Sequence, residues 1–132
     1  DWFAWSYGNM SSFNFEKLYD VGNHLIDFSH EEEYQRSSMT RYYYSAFHSA
    51  KEYYEKSFRK HLSTNDIHST LIKELENSPF KEEKELGEKL RILRNNRNHA
   101  DYYKRSISKN KAKEIFSLLT YLRKHPLRLM KN

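Results

Sequence analysis

Residues that break helices are nearly absent from this chain, and this feature limits its possible folds more than any other. Only three glycines and two prolines occur in 132 residues, and these two residue types interrupt helices most strongly. Apolar residues recur at helical spacing, as in Leu18, Leu25 and Phe28, and no segment alternates with a strand period for long enough to form a sheet. The chain is therefore predicted to be all-α.

Five amphipathic helices are predicted, over residues 14–29, 31–61, 67–77, 79–103 and 112–124. The run 63–66 supplies N-cap residues for the third helix, and Ser78 precedes Pro79 at the expected first position of the fourth. Short connections favour an up-and-down antiparallel bundle of four to five helices. We expect a single domain over residues 10–132, with residues 1–9 a cloning remnant or the end of a processed longer chain.

Composition excludes several classes of protein. The chain has no cysteine, so it has neither disulfides nor thiolate metal sites. No apolar run approaches the roughly 18 residues of a membrane span, and no signal peptide is visible. The nearest approach to a ferritin-like metal motif is the single pair Asp27 and His30. A cytoplasmic protein without metal, cofactor or membrane contact is expected, with its 11 Tyr and 8 Phe supplying much of the core.

The positive charge is concentrated near the C-terminus. The net charge is +5, and residues 104–132 contain nine Lys or Arg against one acid, Glu114. A basic segment of this kind suits a polyanion such as RNA. Lys109 and Lys111 are therefore predicted to contact RNA phosphates, with a solvated basic turn as the alternative.

The predicted fourth helix has two distinct faces. Its core stripe contains Leu86 and four residues that lie within about 40° of it on a helical wheel: Leu90, Leu93, Arg97 and Ala100. Arg97 is also spaced for an ion pair with Asp101, four residues later. The opposite face carries neutral polar, apolar and aromatic side chains: Ile92, Asn95, Asn96, His99, Tyr102 and Tyr103. Because a fully solvated face normally carries more charge, this face is predicted to line a cleft or an interface.

This helix also resembles a known family. The segment RNNRNH, from Arg94 to His99, matches the R-x-x-x-x-H motif of the HEPN superfamily. The segment RNHADY, from Arg97 to Tyr102, is similar to the R-x-x-A-D-Y segment of one HEPN lineage. The run RYYYSAFHSAKEYYEKS (41–57) resembles the aromatic second helix of that lineage, and residues 68–72 are a weaker likeness.

The resemblance implies a four- or five-helix bundle that dimerises and brings two motifs into one cleft. Many members are metal-independent endoribonucleases of toxin–antitoxin, anti-phage or CRISPR-linked systems. On this interpretation His99 is the general base or acid, Arg94 stabilises the phosphate and Asn95 orients a hydrogen bond. Arg97 and Tyr102 would bind substrate, with Ile92, Asn96 and Tyr103 at the dimer interface.

Two other functions remain open at this stage. Some relatives are non-catalytic partners of a nucleotidyltransferase, which in toxin systems acts as the antitoxin. The basic C-terminal segment and the abundant aromatic residues also fit an RNA-binding module that does not cleave.

Overall fold

The computed structural model describes residues 13–58, 61–62, 65–106, 108, 110–111, 114 and 117–118. Over these residues the protein contains four helices and no strand: α1 (Lys17–Phe28), α2 (Glu32–Phe58), α3 (Ile67–Glu76) and α4 (Lys81–Tyr102). The predicted all-α helical bundle is confirmed. None of the helices in the described part of the chain is both long and apolar enough to cross a membrane.

Helices α2 and α4 run antiparallel, as contacts near both of their ends show. Near the start of α2, Thr40 Oγ1 donates to Asp101 Oδ1, near the end of α4, at 2.6 Å. Toward the end of α2, Tyr53 OH donates to Glu83 Oε2, near the start of α4, at 2.7 Å. This pairing places the start of α2 beside the end of α4.

The core is formed by the aromatic stripe of α2, the leucines of α3 and the core stripe of α4. Leu90 and Leu93, both predicted to face inward, are fully buried, as is Tyr43. Burial of one such leucine side chain contributes roughly 1.5–3 kcal/mol to folding. Tyrosine hydroxyls meet polar partners at the edge of the core: Tyr42 OH donates to Asn23 Oδ1 at 2.6 Å.

The start of α4 differs from the prediction. Pro79 is not its first residue, because the helix begins at Lys81. Ser78 Oγ instead donates to Glu83 Oε1 at 2.6 Å and accepts from the backbone N–H of Phe80 at 3.1 Å. The serine thus closes a local turn that delays the helix by two residues.

The end of the chain is described only in part. Residues 110, 111, 114, 117 and 118 lie within the region predicted around the fifth helix and have helical backbone. Leu118 is buried in the core. The rest of the predicted fifth helix, the proposed remnant at 1–9 and Lys109 lie outside the described residues.

Candidate active site

His99 lies in the last turn of α4, where the chain leaves the helix. Its Nε2 is 2.9 Å from the backbone carbonyl oxygen of Arg105. Its ring stacks on that of Tyr103, with 5.5 Å between centroids and 21° between planes. The imidazole is half-buried, so its orientation is held by the segment that follows the helix while part of the ring meets solvent.

A cleft of about 600 Å³ opens between α4 and the residues that follow it. Two of the proposed catalytic residues, Asn95 and His99, line it together because they are four positions apart on one helix. Among the described residues, the cleft is lined by Met39, Ile92, Asn95, Asn96, His99, Arg105, Ser106, Ser108, Lys111 and Glu114. Lys111 brings a cation to the cleft, where it also pairs with Glu114 at 3.5 Å.

Arg94 points elsewhere in the same chain. Its Nη2 lies 3.5 Å from Asp66 Oδ1 at the N-terminal end of α3, and its side chain is 27% exposed. Its buried Nε has no hydrogen-bond partner among the residues that the structure describes. Arg94 is not among the residues that line the cleft. Five residues of helix rotate it by about 140° from His99, so one chain does not bring both side chains onto one phosphate.

A buried aromatic cluster lies behind Arg94, and sequence reasoning did not assign it a role. The Tyr43 hydroxyl and His68 Nδ1 are 2.7 Å apart, and the His68 ring stacks on Phe47 at 3.9 Å. Burial, with the nearby Arg94 and Arg97 cations, lowers the pKa of His68 to about 4. The weak family likeness over 68–72 was the only sequence signal for this residue.

Arg97 and Asp101 connect α4 to α2. Arg97 Nη1 is 3.6 Å from Asp101 Oδ2, and the arginine side chain is only 11% exposed. Its guanidinium carbon lies 5.2 Å from the ring centroid of Tyr43 and 5.5 Å from that of Tyr44. This geometry matches the ion pair between Arg97 and Asp101 that their four-residue spacing predicted. Substrate binding by Arg97 stays a prediction.

The other predicted site residues differ in exposure. Tyr102 and Tyr103 are 76% and 62% exposed, and Ile92 is also exposed. Asn96 is buried within the single chain, where its Nδ2 donates to the Ile92 carbonyl at 2.9 Å. The two tyrosines therefore offer a partner far more accessible surface than Asn96 does. Among the described residues, no group of three or more His, Cys, Asp or Glu is placed to hold a metal ion.

Arg36 of α2 was missed by sequence reasoning and contacts the end of α4. Its Nη1 donates to the carbonyls of Ala100 at 3.0 Å and Tyr103 at 2.5 Å. Its Nη2 donates to the carbonyl of Arg105 at 2.8 Å. These partners are 64 to 69 positions away in sequence, so no local pattern indicates them.

Comparison with known proteins shows the family of the chain. The family model described as HEPN domain matches residues 24–125, about three quarters of the chain. No curated protein and no solved structure matches. HEPN domains are in general ribonuclease or nucleotide-binding modules that commonly act on RNA and dimerise. The matched span contains α2, α3, α4 and the R-x-x-x-x-H segment, and the chain belongs to the HEPN domain family.

Proposed function

We propose that this chain is a metal-independent endoribonuclease whose active site is completed by a second copy of the chain. One observation supports the proposal most: His99 and Asn95 line an open cleft together with the cationic Lys111. Imidazole suits proton transfer because it titrates near neutral pH. Lys111 adds attraction for the RNA backbone.

The reaction uses the 2′-hydroxyl that distinguishes RNA from DNA. His99 takes the proton from that hydroxyl, O2′ bonds to phosphorus, and the bond from phosphorus to O5′ breaks. The products are a 2′,3′-cyclic phosphate and a 5′-hydroxyl, and O5′ receives a proton from an imidazolium. Arg94 stabilises the charge that develops on the phosphate oxygens, while Asn95 orients the reacting group by a hydrogen bond.

Arg94 is available for this role despite its contact with Asp66. The pair is 3.5 Å apart, and the Asp66 side chain is 64% exposed, so the pair contributes only about 0–1 kcal/mol. A bidentate hydrogen bond from a guanidinium to a phosphate is stronger than such an exposed ion pair. Because Arg94 and His99 diverge by about 140° in one chain, a two-fold dimer is needed to supply both groups to one phosphodiester.

The surrounding residues complete the proposal. Tyr102 exposes most of its ring, which suits stacking on a base. Arg97, Lys109 and Lys111 bind the RNA backbone. Ile92, Asn96 and Tyr103 contribute to the dimer interface. The biological role that fits best is a toxin or an anti-phage or CRISPR-linked effector that acts in the cytoplasm.

A second candidate function is a non-catalytic HEPN module that binds a nucleotidyltransferase. The exposed rings of Tyr102 and Tyr103 favour it, because aromatic residues are enriched at protein interfaces. The pairing of Arg94 with Asp66, away from His99, fits this alternative as well.

Incubation of the purified chain with structured RNA in EDTA tests the proposal. We expect cleavage with 2′,3′-cyclic phosphate ends, and a loss of about 100-fold or more in His99→Ala. Arg94→Ala is expected to lower kcat by a similar factor while RNA affinity falls much less, because the charge acts mainly in the transition state.

Arg91→Ala is the matched control for Arg94→Ala. Arg91 lies on the same helix and pairs with Glu76 through two bonds of 2.7 Å, away from the cleft, so cleavage should remain close to wild type. Cleavage that persists in His99→Ala contradicts the proposal. RNA binding without cleavage indicates an RNA-binding module. The absence of both binding and cleavage indicates the module that binds a nucleotidyltransferase.

A further inference from the structure

Arg36 joins the start of α2 to the segment that holds His99. Its guanidinium donates to the Ala100 and Tyr103 carbonyls through Nη1 and to the Arg105 carbonyl through Nη2. Its side chain is 19% exposed and also lies 3.6 Å from Glu32. Carbonyls at the end of a helix lack intrahelical partners and carry the negative end of the helix dipole. A partly buried cation is therefore well matched to this position.

The Arg105 carbonyl links Arg36 to His99. The same oxygen that accepts from Arg36 at 2.8 Å lies 2.9 Å from His99 Nε2. A carbonyl oxygen only accepts hydrogen bonds, so Nε2 must carry the proton in this contact. In the neutral ring the lone pair is then on Nδ1. The tautomer of the proposed catalytic histidine thus depends on where the Arg105 carbonyl is held.

We propose that Arg36 is a positioning residue that fixes the Arg105 carbonyl and thereby keeps His99 in the Nε2–H tautomer. The catalytic part rests on the proposed ribonuclease function: Nδ1 is the atom that accepts the 2′-hydroxyl proton. O2′ then bonds to phosphorus, the P–O5′ bond breaks, and the His99 imidazolium so formed gives its proton to O5′.

The shape of the arginine side chain is essential to this role. A planar guanidinium presents its donors in a fixed fork, so its two Nη atoms can donate to different backbone carbonyls at the same time. A lysine ammonium is a compact point charge on a flexible stem. Arg36→Lys therefore keeps the charge at the end of α4 but loses the simultaneous hold on Tyr103 and Arg105.

Nitrogen-15 NMR of the His99 imidazole in the full chain tests the proposal directly. At a pH where the ring is neutral, the wild-type spectrum should show Nε2 protonated and Nδ1 unprotonated. In Arg36→Lys both resonances should move toward each other, as expected when the two tautomers exchange. We also expect kcat for RNA cleavage to fall about tenfold or more, with KM changed much less.

Arg91→Lys is the matched control, because it disrupts another arginine fork, on Glu76, without touching residues 99–105. It should leave the His99 resonances and cleavage unchanged. Unchanged His99 resonances in Arg36→Lys, or a wild-type ring protonated at Nδ1, would overturn the proposal. If the wild type does not cleave RNA while Arg36→Lys alters the tautomer, the positioning role stands and the ribonuclease proposal fails.

Discussion

At the scale of single residues, the surroundings of the His68 imidazole disfavour its charged form. Its ring is packed between aromatic side chains, with Nδ1 2.7 Å from the Tyr43 hydroxyl. Arg94 and Arg97 are close enough to disfavour a further positive charge, and together with burial they lower the pKa of His68 to about 4. The neutral ring lets two cationic residues lie near the core without a third charge beside them.

The stability of the fold should therefore depend on this ring at mildly acidic pH. Between pH 6.5 and 4 the unfolded chain binds a proton at His68 that the folded chain does not, so stability falls as the pH falls. We expect a loss of about 1–2 kcal/mol, less than the full pKa difference implies because solvent reaches part of the ring. Urea unfolding of wild type and His68→Asn at pH 6.5 and 4.5 measures it. Parallel losses in the two proteins would contradict the assignment.

Local sequence predicted some residues of the candidate site and did not point to others, for a physical reason. Asn95 and His99 were found because one helix brings residues four positions apart onto one face. Arg36 and His68 were missed because their contacts cross between helices: Arg36 reaches a carbonyl 69 positions away and His68 a hydroxyl 25 positions away. Such contacts require the packing of the bundle, which composition and periodicity do not specify.

At the scale of helices, periodicity predicted the type and order of α1 to α4, and their limits to within a few residues. At Pro79 the favourable proline position suggested a start of α4 two residues too early. The Ser78 hydroxyl instead bonds both Glu83 and the Phe80 amide. Competition between a turn and a cap decides such boundaries, and the residue types alone allow either.

Packing of α3 on α4 depends on a glycine. A Cβ added at Gly87 would lie 2.7 Å from the backbone nitrogen of Glu76, so Gly87→Ala forces the two helices apart. We expect the overpacking to cost about 2–3 kcal/mol, which outweighs the gain of about 1 kcal/mol in helix propensity.

Urea denaturation measures this loss in the free energy of unfolding, provided that the free energy depends on urea concentration with the same slope in both proteins. The neighbouring exposed Glu88, changed to Ala, is the control and should shift the free energy of unfolding by less than about 0.5 kcal/mol. An alanine at position 87 that matches or exceeds wild-type stability would show that the helices adjust without cost.

At the scale of the whole molecule, the antiparallel pairing of α2 and α4 assembles the candidate site. It places Arg36, near the start of α2, beside the end of α4, where His99 and the following segment form the cleft. The same geometry turns Arg94 toward Asp66 and away from that cleft. A single chain thus presents a histidine site and an arginine on different sides of one helix. Two copies related by a two-fold axis are the simplest arrangement that brings them together.

Mixing two inactive variants tests whether the active site is shared between copies. Under the proposed function, His99→Ala and Arg94→Ala homodimers each lack one essential group. A mixed dimer keeps one histidine and one arginine, and these come from different chains. If they meet at one phosphodiester, co-expression with two affinity tags should yield a mixed dimer that regains at least about tenfold activity over either parent. If each chain instead builds its own complete site, the mixed dimer still contains two broken sites and stays as inactive as the parents.

A homodimer of the His99→Ala, Arg94→Ala double variant sets the background activity. If a dimer verified by both tags cleaves RNA no faster than that background, a site that takes its histidine from one copy and its arginine from the other is ruled out.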